Sequence, residues 1–281
     1  MMAWGNFLVI PCPKKVWDNS LKKEMLSLLP FIGLVAGVIE YALCYLMWRI
    51  GFPMSVSAFF LTLITFGISG FMHADGFMDV CDAVLSRRDL AERQRILKDS
   101  RVGAFAVISM ILMALGTFAA FFAIAEREVA STVVSYTVSA KLMPIILPLA
   151  LILIPVVSRA TAGSCVLGLA PLETSQYAER EVKGESSGKH IKALAIRATA
   201  IVLLVLILTI VLSAFISKEA ILIFVFRLIV PTVVTLLATR LFAELARRNL
   251  GGMSGDIAGF SICMGELVGL IVFAIVLYKP I

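Results

Sequence analysis

The sequence has few charged side chains and very few histidines. Only 16% of its 281 residues are charged and two are histidine, whereas 60% are hydrophobic. Soluble domains contain about 25% charged residues, so this composition excludes an ordinary soluble domain as well as a disordered chain. With so little histidine, a metal site here depends on carboxylates, which bind hard cations.

The cysteines are odd in number and scattered, at Cys12, Cys44, Cys81, Cys165 and Cys263. No two of them form a Cys-x-x-Cys pair, and none lies beside a histidine at the spacing of a zinc site. The pattern excludes a secreted disulfide scaffold and argues against a structural zinc site.

Long apolar segments separated by polar loops make up most of the chain. Each approaches the ~20 residues that a helix needs to cross about 30 Å of hydrocarbon. We predict an all-α fold, a polytopic membrane bundle forming a single catalytic domain over residues 1–281, with spans at about 28–48, 54–72, 102–125, 135–157, 199–217, 219–239 and 257–278. A tight turn at 217–219 joins the fifth and sixth spans as a helical hairpin.

The basic residues concentrate in the loops on one side of these spans. With the N-terminus in the cytoplasm, 19 of the 25 Lys and Arg residues fall in cytoplasmic segments and four in outer ones. This asymmetry is the positive-inside signal, so the net charge of +6 indicates orientation in the bilayer and not nucleic-acid binding. We expect a multi-pass protein of the cytoplasmic membrane whose chemistry faces the cytoplasm, where the loops 73–101 and 158–198 lie.

An acidic segment follows the second span, and it reads His73-Ala-Asp75-Gly76-Phe-Met-Asp79-Val-Cys-Asp82. In a helix this spacing stacks the three aspartates on one face. Like charges at this spacing destabilise a helix unless a partner neutralises them. Mg²⁺ is a suitable partner, since proteins share it between carboxylates and substrate phosphates. A solvated acidic face is the alternative, and His73 is interpreted as a hydrogen-bonded residue at a helix end.

A basic segment, Lys98-Asp99-Ser100-Arg101-Val-Gly103, leads into the third span. Asp99 or Ser100 is the predicted N-cap of that helix, whose free N–H groups and dipole attract anions. Together with Lys98 and Arg101 they predict a phosphate site. An ordinary capped helix is the alternative.

A glycine-rich segment, Gly251-Gly252-Met-Ser254-Gly255-Asp256, opens the last span. Glycines let backbone N–H groups approach a ligand closely, and Ser254 or Asp256 can cap the helix. A plain interhelical turn explains the glycines equally well.

Some charged residues are predicted within or at the ends of the spans. Glu266 lies well inside the last span, where a carboxylate needs a partner or a cavity, and Arg227 of the sixth span is its candidate partner. Ser158 and Arg159 are placed at the cytoplasmic end of the fourth span, where Arg159 adds a cation to the same surface.

Together these motifs resemble the cobalamin 5′-phosphate synthase (adenosylcobinamide-GDP ribazoletransferase) family over nearly the whole chain. The motifs are His73-x-Asp75-Gly76-x-x-Asp79-x-x-Asp82, Lys98-Asp99-Ser100-Arg101-x-Gly103 and Gly251-Gly252-x-Ser254-Gly255-Asp256, and the segments Leu8-Val-Ile-Pro11-Cys-Pro13 and Pro30-Phe31-x-Gly33-x-x-x-Gly37 also match. The chain departs from the family at Ala106, where glycine is frequent, and at Ser254, where threonine is usual.

The resemblance implies a Mg²⁺-dependent transferase of cobalamin biosynthesis that joins adenosylcobinamide-GDP to α-ribazole or its 5′-phosphate and releases GMP. Asp75, Asp79 and Asp82 are expected to hold Mg²⁺ against the diphosphate, and one of them or Asp99 to act as general base. Substrate contacts are expected from His73, Gly76, Lys98, Ser100, Arg101, Gly103, Ser158, Arg159, Gly251, Gly252, Ser254 and Asp256. Association into a homo-oligomer or with other cobalamin-pathway enzymes stays open.

Two alternative interpretations, another membrane enzyme and a transporter or channel, place charges in similar positions. A CDP-alcohol phosphotransferase expects Asp-Gly-x-x-Ala-Arg, but the fourth residue after Asp75 is Asp79, and a prenyltransferase expects a second Asp-rich motif. A transporter or channel is suggested by charges within spans, at Glu40, Lys141, Arg227 and Glu266. Inverted repeats or broken helices would favour it, and the two halves of the sequence show no convincing similarity.

Overall fold

The structure of the protein is a computed structural model, and the residues described are 1–14, 17–133, 145, 147–173, 175, 187–216 and 218–278. These residues form α-helices, short 3₁₀ turns and loops, with no β-strand among them, which confirms the all-α prediction. The described helices are, in chain order, α1 (Met2–Phe7), α2 (Lys22–Ser27), α3 (Leu29–Arg49), α4 (Met54–Gly67), α5 (Met72–Leu85), α6 (Leu90–Ile96), α7 (Ala104–Val133), α8 (Ala150–Gly168), α9 (Ser187–Ala214), α10 (Lys218–Leu250) and α11 (Gly255–Tyr278).

Within the described residues, six helices are long and apolar enough to cross a membrane: α3, α7, α8, α9, α10 and α11. The helices α4 and α5 add a seventh span if the bent pair counts as one. The prediction of about seven spans is therefore confirmed by length and composition. Lys141 and Ser217 lie outside the described residues, and α9 and α10 flank the predicted hairpin turn.

The second predicted span breaks before the acidic segment. The axes of α4 and α5 differ by 81°, and both Gly70 (φ 63°) and Phe71 (φ 61°) at the break adopt left-handed backbone angles. Such angles are ordinary for glycine and uncommon for phenylalanine. The break ends the apolar helix at Gly67 and starts a separate helix that carries the three aspartates.

Helix α8 lies at the centre of the bundle. In the most apolar 18-residue stretch of α8, 94% of the residues are buried. The helix packs against α3, α9, α10 and α11. Close contact with α3 depends on Gly33, where a Cβ atom would lie 2.4 Å from the Pro155 carbonyl oxygen. A helix that is apolar on all sides is typical of a bundle interior. Helix α8 continues past Arg159 and ends at Gly168.

Helix α11 brings the parts of the site together. It packs against α10, α5, α8 and α7, and its first residues contact the acidic helix α5. The last apolar span and the acidic segment, which are far apart in sequence, therefore meet at one end of the bundle.

Candidate active site

Four carboxylates converge where α5 meets the start of α11. Asp79 lies within electrostatic reach of Asp75 and Asp82 on its own helix, as the spacing predicts, and of Asp256 on α11. Asp75 is exposed, whereas the other three are half-buried. Asp256 was expected among the substrate contacts, and the structure adds it to the acidic group.

Gly76 makes this convergence sterically feasible. A Cβ atom at this position would lie 2.8 Å from both the Cα and the carbonyl oxygen of Asp256, closer than side-chain atoms approach a backbone. Gly76 is buried against α11, so its visible role is to let the two helices touch.

The carboxylates of Asp75 and Asp79 have no hydrogen-bond or ion-pair partner among the described residues. Like charges held together raise the energy of the ionised state unless a cation offsets them. No group of three or more His, Cys, Asp or Glu residues in the described part of the chain has the arrangement of a complete metal site. Mg²⁺ needs fewer protein ligands, because water and substrate phosphates complete its shell, so this pair of carboxylates fits that ion.

Asp82 has donors of its own, at the start of α7. Its Oδ2 accepts a hydrogen bond from the Gly103 N–H (2.7 Å), and its Oδ1 accepts one from the Ala106 N–H (3.3 Å). The prediction that Asp99 or Ser100 caps this helix is wrong, because α7 begins later, at Ala104, and its cap comes from another helix. The N-terminal N–H groups of Gly103 and Ala106, expected to attract phosphate, are engaged by this carboxylate.

The basic loop before α7 presents its cations at the surface. Lys98, Ser100 and Arg101 are exposed. Asp99 accepts hydrogen bonds from the Arg101 guanidinium (2.7 Å) and the Arg101 backbone N–H (3.1 Å). These bonds from Arg101 favour the ionised carboxylate and lower the pKa of Asp99 to about 2.

The glycine-rich turn packs against the chain that follows α8. Gly252 lies against the backbone of Pro171 and Leu172. Met253 accepts a hydrogen bond from the Leu172 N–H and donates its own N–H to the Ala170 carbonyl, both at 2.9 Å. Gly251, which has a φ of 84°, ends α10. The turn is therefore part of a backbone pairing.

Ser254 begins the last helix as an N-cap. Its hydroxyl oxygen accepts a hydrogen bond from the Ile257 N–H (3.3 Å), and the hydroxyl donates to Asp256 Oδ2 (3.3 Å). The predicted capping role is confirmed at Ser254. Asp256 is thereby held at the first turn of α11, where the helix dipole favours a carboxylate.

Helix α6 ties the basic segment to the glycine-rich turn, a link that the sequence analysis missed. The Arg93 guanidinium donates to the Asn249 backbone oxygen (3.3 Å) and Oδ1 (3.0 Å), and the Gln94 amide donates to the Leu250 carbonyl (2.8 Å). The sequence gives only a general indication of this link, because the last carbonyl groups of any helix, α10 included, need hydrogen-bond donors from elsewhere. The contacts bring the second and third motifs to the same end of the bundle.

Ser158 and Arg159 are buried inside the bundle, whereas the basic loop is exposed. Arg159 is 2% exposed, its guanidinium donates to Glu266 Oε1 (2.5 Å), and the Ser158 hydroxyl donates to the same oxygen (2.6 Å). Their predicted place at the end of the fourth span is wrong, because α8 continues to Gly168. Arg227 is also the wrong partner for Glu266, since α8 packs against α11 and supplies Arg159.

Two further polar residues lie near this ion pair. Glu40 on α3 is buried, accepts a hydrogen bond from the Thr65 hydroxyl (3.2 Å) and lies within electrostatic reach of Arg159 and Glu266. His73 is at the start of α5, as predicted, but its buried Nε2 has no hydrogen-bond partner among the described residues. The predicted hydrogen bond of His73 is therefore not found at that nitrogen.

The comparisons with known proteins agree with these motifs. Residues 1–274 match the family model described as cobalamin-5-phosphate synthase. The adenosylcobinamide-GDP ribazoletransferase of Clostridium perfringens (strain 13 / Type A) is 32% identical over 280 residues, which is 98% of this chain and 96% of the relative. The protein of the same name from Clostridium botulinum (strain Alaska E43 / Type E3) is 33% identical over 270 residues, or 96% and 94% of the two chains.

A third relative of that name, from Geobacillus sp. (strain WCH70), is 41% identical over 123 residues, or 40% of this chain and 46% of its own. No solved structure gives a significant match. The family match covers all three motifs, and the two clostridial relatives align over nearly their full lengths. The chain therefore belongs to the cobalamin-5-phosphate synthase family.

Proposed function

We propose that this protein is an adenosylcobinamide-GDP ribazoletransferase, a membrane enzyme of cobalamin biosynthesis. It joins adenosylcobinamide-GDP to α-ribazole or its 5′-phosphate and releases GMP. The two clostridial relatives that carry this name align over 98% and 96% of the chain. The observation that carries the proposal is the pair Asp75 and Asp79. Their carboxylates have no ion-pair partner among the described residues, and their helix, α5, packs against α7, the helix that follows the basic loop.

The proposed metal is Mg²⁺, held by Asp75 and Asp79, with Asp256 within electrostatic reach of both. When bound, it neutralises the charge of the diphosphate and of the transition state. The sequence prediction also included Asp82, whose oxygens bind the start of α7 in this structure.

The reaction displaces one phosphate of a diphosphate. A hydroxyl oxygen of the ribazole forms a bond to the phosphorus that carries the cobinamide, the bond to GMP breaks, and the hydroxyl proton is lost. Such transfers need charge neutralisation and in-line positioning more than covalent help. Lys98 and Arg101 are exposed and supply the positive charge for the departing GMP phosphate.

The proton of the acceptor hydroxyl goes to a carboxylate of the acidic group. Asp99 is a weak candidate, because Arg101 lowers its pKa to about 2 and an effective base has a pKa near the working pH. The carboxylates on α5 and α11 are better placed, since each lies beside others of like charge. We propose that one of Asp75, Asp79 and Asp256 is the base.

The proposed location is the cytoplasmic membrane, with the acidic group and the basic loop on the cytoplasmic side. The excess of Lys and Arg residues in the loops on that side supports this orientation. Both substrates are then reached from the cytoplasm, while the exposed apolar side chains of α3, α7, α9 and α10 face lipid.

The experiment follows GMP release by the purified protein in liposomes, from adenosylcobinamide-GDP and α-ribazole 5′-phosphate, with Mg²⁺ or with a chelator. Mg²⁺-dependent GMP with a cobalamin product is the expected result. Asp79→Asn should abolish it. Asp89→Asn is the control, since Asp89 caps α6 and asparagine caps equally well.

Three outcomes would contradict the proposal. Turnover of a CDP-alcohol donor without GMP release would favour the phosphotransferase alternative. Solute flux in liposomes without turnover would favour a transporter. Transporters contain broken helices, and the bent pair α4 and α5 is similar to one. Full activity in Asp79→Asn would show that Asp79 is not a ligand of a metal that the reaction needs.

A further inference from the structure

Asp82 differs from the other aspartates of α5 in having backbone donors. Its Oδ2 lies 2.7 Å from the Gly103 nitrogen, and its Oδ1 lies 3.3 Å from the Ala106 nitrogen. Asp75 and Asp79 have no such partner among the described residues. Three aspartates that share one helical face therefore have two different environments.

The two N–H groups that Asp82 binds are the ones that donate to side chains in a capping box. Gly103 precedes the first residue of α7, and Ala106 is its third residue, the positions N-cap and N3. In a capping box the side chains of these two residues accept the two hydrogen bonds. Glycine and alanine have no oxygen in their side chains, so Asp82 supplies both acceptors from a different helix. The positive end of the α7 dipole in turn compensates its charge.

The absence of a side chain at Gly103 leaves the space that the Asp82 carboxylate occupies. A Cβ atom at Gly103 would lie 2.1 Å from Oδ2 and 2.4 Å from Oδ1 of Asp82. Any side chain there would displace the carboxylate or the helix. The aspartate and the glycine, 21 residues apart, thus act as one unit.

We propose that Asp82 is a positioning residue that caps α7 from α5, and that it is not a ligand of the metal. The cap holds the start of α7 against the acidic face of α5, and with it the loop that carries Lys98 and Arg101. The part of this inference that concerns the metal rests on the proposed function; the part that concerns the cap does not.

The first arm measures metal binding without turnover. Mn²⁺, which is visible by electron paramagnetic resonance, is titrated into the detergent-purified protein and its Asp79→Asn, Asp82→Asn and Asp82→Ala variants. Loss of a ligand should weaken binding by about tenfold or more, since even outer-shell partners act on that scale. We expect that loss in Asp79→Asn and a clearly smaller change in both Asp82 variants, because the carboxylate of Asp82 binds N–H groups of α7 and is proposed to contact neither the metal nor its ligands.

The second arm measures amide hydrogen exchange in the first turn of α7. Removing a cap speeds exchange there, and the usual cost of a lost cap corresponds to about fivefold. Asp82→Ala and Gly103→Ala should both raise exchange at residues 103–106, and the double variant should match the single ones, because both changes break the same contact. Asp89→Ala is the control, since it removes the cap of α6, where Asp89 accepts from the Glu92 N–H (2.9 Å), and should act on α6 alone.

The outcomes are separable. Equal loss of Mn²⁺ affinity in Asp82→Asn and Asp79→Asn, with unchanged exchange in α7, would overturn the inference. If Asp82→Ala does not fold, Asp82→Asn and Gly103→Ala carry the same comparison. If the unmodified protein binds no Mn²⁺, the proposed metal fails, and the exchange arm alone decides whether Asp82 is the cap.

Discussion

The aspartates of this protein differ in what surrounds each carboxylate. Asp99 binds a guanidinium and Asp82 binds two backbone N–H groups, whereas Asp75 and Asp79 have no such partner in the described residues. A carboxylate that already has donors is satisfied in place, and one surrounded by like charges favours binding of a cation. For this reason we propose Asp75 and Asp79 as the metal ligands.

Asp79→Asn should separate activity from stability. The variant loses a proposed metal ligand, so GMP release should fall by about 100-fold or more. It also loses repulsion from Asp75 and Asp82, so in chelator its free energy of unfolding should rise by about 0.5 kcal/mol. Assays of turnover and of thermal unfolding in detergent test both effects. A variant that is both inactive and less stable than the unmodified protein would mean that Asp79 has a structural role.

Asp99→Asn should leave the pH profile of GMP release in place. Hydrogen bonds from Arg101 lower the pKa of Asp99 from 3.8 to about 2. A carboxyl group with a lowered pKa stabilises the folded state at pH values above its unfolded pKa, and this stabilisation is lost as pH falls towards 2. Asp99 itself therefore does not titrate between about pH 5 and 8.

We expect weaker binding of the GDP donor in Asp99→Asn, because Arg101 loses the partner that orients it. Rates measured across that pH range for both proteins, with Asp89→Asn as control, test this. A displaced or flattened profile in Asp99→Asn alone would identify Asp99 as the general base.

At the scale of helices, a buried ion pair joins the centre of the bundle to the helix that carries Asp256. Arg159 on α8 and Glu266 on α11 are both buried and directly bonded. Paired charges can be kept inside a protein, whereas a single one is costly. The pair thereby fixes the register of α11 against α8, and α11 in turn presents its first turn to α5.

Glu266→Gln should destabilise the bundle. The change leaves the Arg159 guanidinium buried beside a neutral group, and breaking a buried pair costs about 3–5 kcal/mol. Thermal unfolding in detergent measures the loss. The double variant Arg159→Met with Glu266→Leu removes both charges and should recover most of it. Unchanged stability in Glu266→Gln would indicate that Glu40, which lies within electrostatic reach of Arg159, can replace Glu266 as partner.

At the scale of the whole molecule, a native cysteine can report which side of the membrane carries the site. Cys12 is partly exposed, and the other cysteines are buried. The Val9 N–H donates to the Ile68 carbonyl (3.0 Å), which places this segment beside the break that precedes α5.

A membrane-impermeant maleimide should therefore label Cys12 in inside-out vesicles and not in intact spheroplasts. The reason is the positive-inside asymmetry of the loops. Cys12→Ser should abolish the label and so confirms its position. Labelling of Cys12 from the outer side would reverse the predicted orientation and place the acidic group outside the cytoplasm.

The features that could be predicted from the sequence are local ones. Apolar length sets the helices that can span a bilayer, and spacing along one helix places Asp75, Asp79 and Asp82 on one face. The hydroxyl of Ser254 lies within reach of the helix that it caps. Each of these depends on neighbouring residues only, so composition and period are sufficient, and the family motifs follow from the same segments.

Only the tertiary structure decided which distant groups become partners. Sequence shows that a buried carboxylate at Glu266 needs a cation, but several helices carry one, and the packing of α8 against α11 selects Arg159. In the same way α7 needs acceptors for its first N–H groups, and the approach of α5 supplies Asp82 in place of the adjacent Asp99. Chain chemistry sets the requirement for a partner, and helix packing determines which residue is near enough to meet it.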